Sequence, residues 1–439
     1  MRVVRALSTA LLITICLASC GVPGAEAPTV APIIIIASPT PGPNQAATEA
    51  ATPPPTPAPA PTAVELTATA VPTAAAPTTA AAPASSTLQL RFSEATLVAI
   101  FRGEIKTWND TRIQADNPGA SLPDLPIQVV YRSDPSGSTR AITEYFVQVD
   151  RWWADHIGAA YRLGDANSKP WPTGEGTNGS SQLAKLVKNT PGAIGYVAPS
   201  YAQSENLPLA ILSNAAGNWV APSSSTLSEA AANTVDHLDQ RLRGFIVNAP
   251  GPNAYPLAIY TWIISCPAGL TLEQAQALTD FLYWEISDPQ AIAAARQLGY
   301  EPLPAVVRQA AIAQLTAIQV GNQHVFTAPG SDQPFTPRHF TPPVALSGSG
   351  ATFPNPLYQE LIKRYQQVEP SVVLSYNAEG STQGRIDLLQ SGIVQFAGSD
   401  EAVADRDSQI VRSVCQPAPL HNPTVVGAIG IVYNIPAGP

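Results

Sequence analysis

Three stretches of the sequence have the composition of an anion-binding loop, because each places Gly and Ser or Thr directly before a segment of helical pattern. They are SGSGATFPNP with Ser349, Gly350 and Thr352, EGSTQG at 379–384, and RSDPSGST at 132–139. Gly allows close approach of a ligand to the backbone, while hydroxyls and the unpaired N–H groups of a helix start donate to anions. Taken alone, each stretch is explained more simply as an ordinary N-cap and turn. The repetition, together with the cation Arg132, favours an anion site.

Motifs for several other chemistries are missing from the sequence. It contains no G-x-x-x-x-G-K-[ST] nucleotide loop and no G-x-S-x-G nucleophile elbow. The net charge of −9 argues against a nucleic-acid partner. No metal site or cofactor is expected, because metal-type spacing is absent among the five histidines, His156, His237, His324, His339 and His421.

The elements that must position these loops alternate between strand and helix patterns from Thr87 onward. IQVVYRS (127–133) and YPLAIYTWIIS (255–265) have strand composition, and TRAITEYFVQV, which begins at Thr139, has helical periodicity. Such alternation predicts parallel βαβ units in a doubly wound α/β fold, with binding loops at the strand ends. Two such units would suit a two-lobed binding protein.

The N-terminal region has the features of a targeting segment. Arg2 and Arg5 precede an apolar run at 6–17 that is too short to span a bilayer. Cys20 follows Leu-Ala-Ser as in a bacterial lipobox, so 1–20 is interpreted as a lipoprotein signal peptide with Cys20 lipidated; an ordinary signal peptide with a chance Cys is the alternative. Residues 21–86 are rich in Pro, Ala and Thr, which predicts a disordered stalk. Cys266 and Cys415 are either a disulfide or two buried thiols.

The loops and their flanks resemble the phosphate-binding proteins (PstS-type) of the bacterial high-affinity phosphate ABC importer. The motifs are GSGATFPNPLYQELIKRY, YNAEGSTQG, VQFAGSDEAV, IFRGEIKTWND, YRSDPSGST, WPTGEGTNG, TPGAIGYV and NAPGPNAYPLAIYTWIIS. The resemblance covers roughly 88–320 and 344–439, and it implies a two-lobed periplasmic-binding-protein-like fold of the Venus flytrap type II.

The order of the two parts differs from that family. Its members begin with the segment similar to 344–439, which here follows the segment similar to 88–320. We therefore expect a circularly permuted chain, with the former ends joined by the Pro-rich loop 323–343; a tandem or truncated gene is the alternative. One lobe is expected to comprise 87–252 with 425–439, and the other 253–424.

The resemblance also implies the ligand contacts. Carried over residue by residue, the phosphate-binding set is Thr352, Phe353 through its N–H, Ser381, Asp400, Arg132, Ser136, Gly137 and Ser138. The family usually has Gly where Pro135 stands and Thr where Ser138 stands. Ser138 keeps the hydroxyl, whereas Pro135 stiffens the loop and removes an N–H group.

Asp400 has the most informative chemistry in this set. A carboxylate repels an anion unless the anion offers a proton, which phosphate retains at neutral pH and sulfate does not. Asp400 is therefore expected to select phosphate; a helix N-cap before EAVADRD is the alternative.

Together these features imply a non-enzymatic, lipid-anchored solute-binding protein outside the cytoplasm. It would capture inorganic phosphate for the permease and ATPase subunits of an ABC importer. A phosphate-sensing or surface protein, or a phosphatase, would use the same binding fold differently.

Overall fold

The strands and helices were located in a computed structural model that describes residues 89–163, 169–329, 335–404, 411–416 and 418–436. The expected signal peptide, Cys20 and the stalk lie outside these ranges, and so do residues 330–334 of the joining loop. In chain order the strands are β1 (Arg91–Phe92), β2 (Gln128–Arg132), β3 (Glu175–Thr177), β4 (Ala193–Val197), β5 (Ile211–Ser213), β6 (Trp219–Val220), β7 (Ala258–Ser265), β8 (Glu301–Pro302), β9 (Gln319–Val320), β10 (Gln323–His324), β11 (Val344–Gly350), β12 (Val372–Asn377), β13 (Phe396–Ser399), β14 (Leu420–Ala428) and β15 (Gly430–Tyr433).

The helices lie between these strands in the chain. They are α1 (Glu94–Phe101), α2 (Thr111–Asp116), α3 (Gly137–Val149), α4 (Arg151–His156), α5 (Ser180–Asn189), α6 (Pro199–Ser204), α7 (Ser224–Ala232), α8 (Leu272–Ser287), α9 (Pro289–Gln297), α10 (Ala305–Leu315), α11 (Asn355–Val368) and α12 (Ser381–Ile386), which continues as a π-helical turn at Asp387–Ser391. Short 3-10 turns occupy Val235–His237 and Ser413–Cys415.

The larger lobe is built on a six-stranded sheet in the order β12-β11-β13-β7-β14-β8. Strand β11 runs parallel to β12 and β13, as expected for βαβ units. Strand β7 is antiparallel to both β13 and β14, and β14 is antiparallel to β8. Within the larger lobe, the expectation of parallel pairing is thus correct only for β11, β12 and β13. The reason is that β7 and β14 pair directly along their length instead of through a crossover helix.

The smaller lobe contains a four-stranded sheet in the order β15-β4-β2-β3 and a three-stranded sheet in the order β1-β5-β6. Strand β2 is parallel to β3 and β4, whereas β15 is antiparallel to β4. The chain passes between the lobes at Ile429, because β14 ends at Ala428 in the larger sheet and β15 begins at Gly430 in the smaller one. Helix α7 packs against β14 and β8 of the larger sheet. The sheets therefore place the crossings near 221–223 and 429, whereas the sequence suggested 252 and 425.

Aromatic side chains behind α3 hold this helix in the smaller lobe. Phe146 on α3 lies 5.4 Å from Phe101 and 4.7 Å from Trp153, measured between ring centroids. Trp171 packs against the rings of Phe101 and Trp153. Large buried rings with this mutual geometry stabilise a lobe through apolar burial and ring contacts. They fix the direction in which the N-terminal end of α3 points.

The joining loop is anchored to the larger lobe. Its first residues form β10, which pairs with β9, although the sequence suggested a loop without regular structure. Further along, Arg338 donates to Asp280 on α8 through its backbone N–H at 2.8 Å and its side-chain Nη1 at 2.7 Å. Burial raises the pKa of Asp280 to about 6 despite this cation. The loop therefore packs as part of the fold.

Cys266 and Cys415 form a disulfide, which settles the alternatives left open by the sequence. It ties the end of β7 to the segment that follows β13. Among the described residues, no helix combines the length and apolarity needed to cross a membrane.

Candidate functional site

Arg132 lies at the centre of the candidate site, at the end of β2, with a relative exposure of 1%. Its Nη1 donates to the hydroxyl of Thr352 at 3.0 Å and to that of Ser180 at 3.1 Å. The two hydroxyl oxygens are themselves 3.0 Å apart. Thr352 belongs to the larger lobe and the other two residues to the smaller one. A cation and two hydroxyls from both lobes therefore meet at one point.

Asp134 fixes the orientation of this guanidinium. Nε of Arg132 donates to Oδ1 of Asp134 at 2.6 Å, and Nη2 pairs with the second carboxylate oxygen. The backbone N–H of Gly179 also donates to Asp134, at 3.0 Å. The fork formed by Nε and Nη2 is thus occupied, and both Nη1 protons are donated to Thr352 and Ser180. A ligand can therefore contact the guanidinium through the second Nη2 proton, or through Nη1 if it replaces one of these hydroxyls. Arg132 therefore cannot present its Nε–Nη2 edge to an oxyanion, although guanidinium groups often bind oxyanions through that edge.

Two tyrosines orient the backbone at Thr352 and Phe353. The hydroxyl of Tyr201 donates to the Thr352 carbonyl at 2.5 Å, and the hydroxyl of Tyr300 donates to the Phe353 carbonyl at 2.7 Å. A trans peptide directs its N–H away from its carbonyl. The Phe353 N–H, which is the backbone donor predicted for the ligand, therefore points away from Tyr201. Burial raises the pKa of the Tyr201 hydroxyl, which keeps it protonated as a donor.

The start of α3 supplies the second group of predicted residues. The Ser136 hydroxyl caps the helix by accepting from the Thr139 N–H at 3.3 Å. Ser138 is buried, and its hydroxyl has no hydrogen-bond partner among the described residues. A Cβ atom on Gly137 would lie 2.3 Å from the Cβ of Asp400. Glycine at this position therefore allows α3 to reach the larger lobe, and an unpartnered hydroxyl is available beside it.

Ser381 and Asp400 complete the set from the larger lobe. Ser381 begins α12, and its hydroxyl accepts from the Asp400 N–H at 3.2 Å. The preceding Gly380 has φ +102°, which disfavours L side chains, and a Cβ atom there would lie 3.1 Å from the Pro135 carbonyl. The Pro135 loop of the smaller lobe is thus packed against the Ser381 loop. The structure brings all eight predicted residues together where the two lobes meet.

Asp400 is the one acidic side chain of the predicted set. It is 6% exposed, and its Oδ1 has no hydrogen-bond partner among the described residues. Burial raises its pKa to about 7, opposed in part by a hydrogen bond from Thr261 and by the charge of Arg132. Residues 401–404 lie outside any helix, so they provide no helix start for Asp400 to cap. Asp400 lies against Gly137 at the start of α3, so its Oδ1 can accept a hydrogen bond from a ligand that carries a proton.

Four contributors were missed from the sequence: Asp134, Ser180, Tyr201 and Tyr300. Ser180 had a usable signal, because TNGSSQLAKL places Gly179 and Ser180 at the start of a helix, as in the three loops above. Asp134 and Tyr201 gave no such signal, since their contacts depend on side-chain direction in the folded chain. In the part of the chain that the structure describes, no three His, Cys, Asp or Glu residues could hold a metal ion.

A protein-family model and several known proteins match parts of this chain. A model described as the PBP superfamily domain matches residues 60–289, slightly more than half of the chain. The phosphate-binding protein PstS of Xylella fastidiosa (strain 9a5c) is 35% identical over 216 residues, or 49% of this chain and 57% of that protein. PstS of Pasteurella multocida (strain Pm70) is 36% identical over 226 residues, or 52% of this chain and 63% of that protein. The chain thus spans less than two thirds of the length of these relatives.

Among solved structures, a phosphate-binding protein of a phosphate ABC transporter from Streptococcus pneumoniae TIGR4 aligns with 70% of this chain and 88% of that chain. The sequence identity is 15% and the TM-score 0.40. The match of the family model confirms the expected two-lobed periplasmic-binding-protein-like fold, whereas the permuted order remains a prediction. The chain therefore belongs to the PBP superfamily.

Proposed function

We propose that this protein captures inorganic phosphate outside the cytoplasm and delivers it to an ABC importer. The observation that carries the proposal is the position of Asp400, which lies against the start of α3 and within the influence of the Arg132 charge, with an oxygen that has no partner among the described residues. A fully deprotonated anion would satisfy the donors but be repelled by Asp400. Phosphate satisfies both, because it accepts hydrogen bonds from the donors and, through its remaining proton, donates one to the carboxylate.

The number of donors is sufficient for tight binding. Hydrogen bonds to charged groups contribute about 1.5–3 kcal/mol each, and micromolar affinity corresponds to about 8 kcal/mol. The proposed contacts are the Thr352, Ser136, Ser138 and Ser381 hydroxyls, the Phe353 and Gly137 N–H groups, the outer end of Arg132 and the Asp400 carboxylate. Several such contacts exceed the requirement even after the cost of desolvation.

Calorimetric titration of the full-length chain at pH 8 with phosphate and then sulfate tests this function. We expect micromolar or tighter phosphate binding and no saturable sulfate binding. The absence of phosphate binding, or equal affinity for the two anions, would contradict the proposal. Incubation with a chromogenic phosphate ester tests the proposed lack of turnover, and release of the chromophore above the buffer rate would favour a phosphatase instead.

Transport and localisation are part of the same proposal. Permease and ATPase subunits of an ABC importer are the proposed partners, and lipidation at Cys20 is the proposed membrane attachment. Restoration of phosphate uptake in a host lacking its own binding protein would support transport. Unchanged uptake with intact phosphate binding would favour a sensing or surface role.

The permuted order of the chain is also proposed. Two pairings support this order. The last strand, β15, pairs with β4 of the smaller lobe, and β11 to β14 share the sheet of the larger lobe with the earlier strands β7 and β8. Segments from the two ends of the described chain thus share one two-lobed unit.

A further inference from the structure

Tyr161 lies beside the candidate site and is fixed to the smaller lobe. Its carbonyl accepts from the Ser136 N–H at 2.9 Å. The neighbouring Ala160 donates to the Thr143 hydroxyl at 2.9 Å and accepts from it at 3.1 Å. Because Thr143 and Ser136 belong to α3 and its cap, the position of Tyr161 is coupled to the helix that begins at the site.

The ring of Tyr161 contacts guanidinium groups from both lobes. Arg140 on α3 lies 5.5 Å from the ring centroid, and Arg385 on α12 lies 5.8 Å from it. Helix α12 packs on β11 and β13 of the larger sheet. An aromatic ring attracts a cation placed at such distances. The contact between Tyr161 and Arg385 therefore joins the lobes directly.

Glu401 strengthens the same junction. It follows Asp400 in the chain, pairs with Arg385, and accepts a hydrogen bond from the Tyr161 hydroxyl through its carboxylate. The Glu401 side chain is 8% exposed, so this ion pair is screened little by solvent. On the other side, Arg140 also lies 5.3 Å from the Phe245 ring. The junction thus connects α3 to the segment that carries Asp400.

We propose that Tyr161, Arg385 and Glu401 form an interlobe clamp that holds the lobes closed over the ligand and sets its release rate. The inference rests on the proposed phosphate binding. Tyr161 is a positioning residue here, since it acts through α3 and the Asp400 segment and not by contact with phosphate. The clamp makes contacts only when the lobes are together, so it slows dissociation and leaves association unchanged.

A chase experiment on the full-length chain tests the clamp. Protein loaded with [³²P]phosphate is mixed with excess unlabelled phosphate, and retained label is followed by rapid filtration. We expect Tyr161→Leu to release phosphate about tenfold faster, with an association rate within about twofold of the wild type. Tyr161→Phe keeps the ring but loses the hydrogen bond to Glu401, so its release rate should lie between those of the wild type and Tyr161→Leu. Trp219→Leu is the matched control, because it removes a ring 5.8 Å from Arg91 in the smaller lobe, away from the junction.

A second variant guards against misfolding of Tyr161→Leu. Arg385→Met with Glu401→Gln removes the larger-lobe half of the clamp without leaving a buried unpaired charge, and should also release phosphate about tenfold faster. Wild-type release rates in both variants would overturn the clamp while leaving phosphate capture intact. A wild type that retains no label would overturn phosphate capture itself, and the clamp with it.

Discussion

Arg132 and Thr352 are 220 positions apart, and a hydrogen bond of 3.0 Å joins the guanidinium of one to the hydroxyl of the other. Arg132 belongs to the smaller lobe and Thr352 to the larger one. The bond therefore exists only while the lobes are together. Residues 344–439, which are similar to the segment that begins the family's sequences, lie late in this chain. They thus contribute to the same site as the earlier Arg132 loop.

Arg132→Lys is expected to weaken phosphate binding by about 10–100-fold. Lysine retains the positive charge but has no planar fork, so it cannot pair with Asp134 while it donates toward Thr352. Calorimetric titration with phosphate measures the effect. Arg112→Lys is the control, because Arg112 also pairs with an aspartate, Asp110, but is exposed. An Arg132→Lys affinity equal to that of the Arg112→Lys control would contradict the role assigned to Arg132.

Ser180→Ala is expected to weaken phosphate binding by about 3–10-fold, since it removes the hydroxyl that hydrogen-bonds to both Arg132 and Thr352. The neighbouring Ser181 is exposed, so Ser181→Ala serves as the matched control and should bind like the wild type. The two variants differ by one position at the start of α5. Equal affinities of both variants would show that Ser180 has no part in the site.

Asp400→Asn is expected to stabilise the phosphate-free protein at pH 8 but not at pH 4. The pKa of Asp400 is about 7 in the folded protein, against 3.8 for an unperturbed aspartate. The folded state therefore binds more protons between these values, and its free energy of unfolding falls as the pH rises through this window. At about 1.4 kcal/mol per pKa unit, the gain at pH 8 should be about 2–4 kcal/mol.

Urea unfolding in phosphate-free buffer at the two pH values measures this difference. Asp124→Asn changes an exposed aspartate and should alter stability little at either pH. A gain for Asp400→Asn that is the same at pH 4 and pH 8 would mean that the buried carboxylate does not cause it.

Removal of the disulfide is expected to lower the free energy of unfolding by about 2–5 kcal/mol. Cys266 and Cys415 are separated by 149 positions, so the bond restricts a long loop in the unfolded chain. Urea unfolding of Cys266→Ala/Cys415→Ala against the wild type measures the loss. Reductant should destabilise the wild type and leave the double variant unchanged; destabilisation of both would point to another cause.

Local composition was enough to locate the three loops, because Gly, Ser and Thr before a helix leave a direct pattern. It could not show that the loops meet, which depends on long-range packing such as the approach of Gly137 to Asp400. The resemblance to a family supplied that information. The orientation of Arg132 by Asp134 was not predictable by either route, because both residue types fit several pairings.

The lobe crossing at Ile429 is a second feature that the sequence could not predict. By its sequence, VVGAIGIVYNIP (425–436) predicts one last strand, since its first nine residues include no charged or amide side chain. The structure divides it into β14 and β15, which belong to different sheets. Both strands are buried, as is Ile429 between them, so hydrophobicity does not change at the crossing. A continuous apolar pattern cannot indicate where a chain leaves one sheet for another.

The central claim is that Asp400 selects a protonated oxyanion at a site of donors, and the anion preference of Asp400→Asn at pH 8 tests it most directly. Competitive calorimetric titration gives the ratio of phosphate to sulfate affinity for the wild type and the variant. The account predicts weaker phosphate binding and measurable sulfate binding in the variant, so that the ratio falls by at least about tenfold. An unchanged ratio would contradict the account.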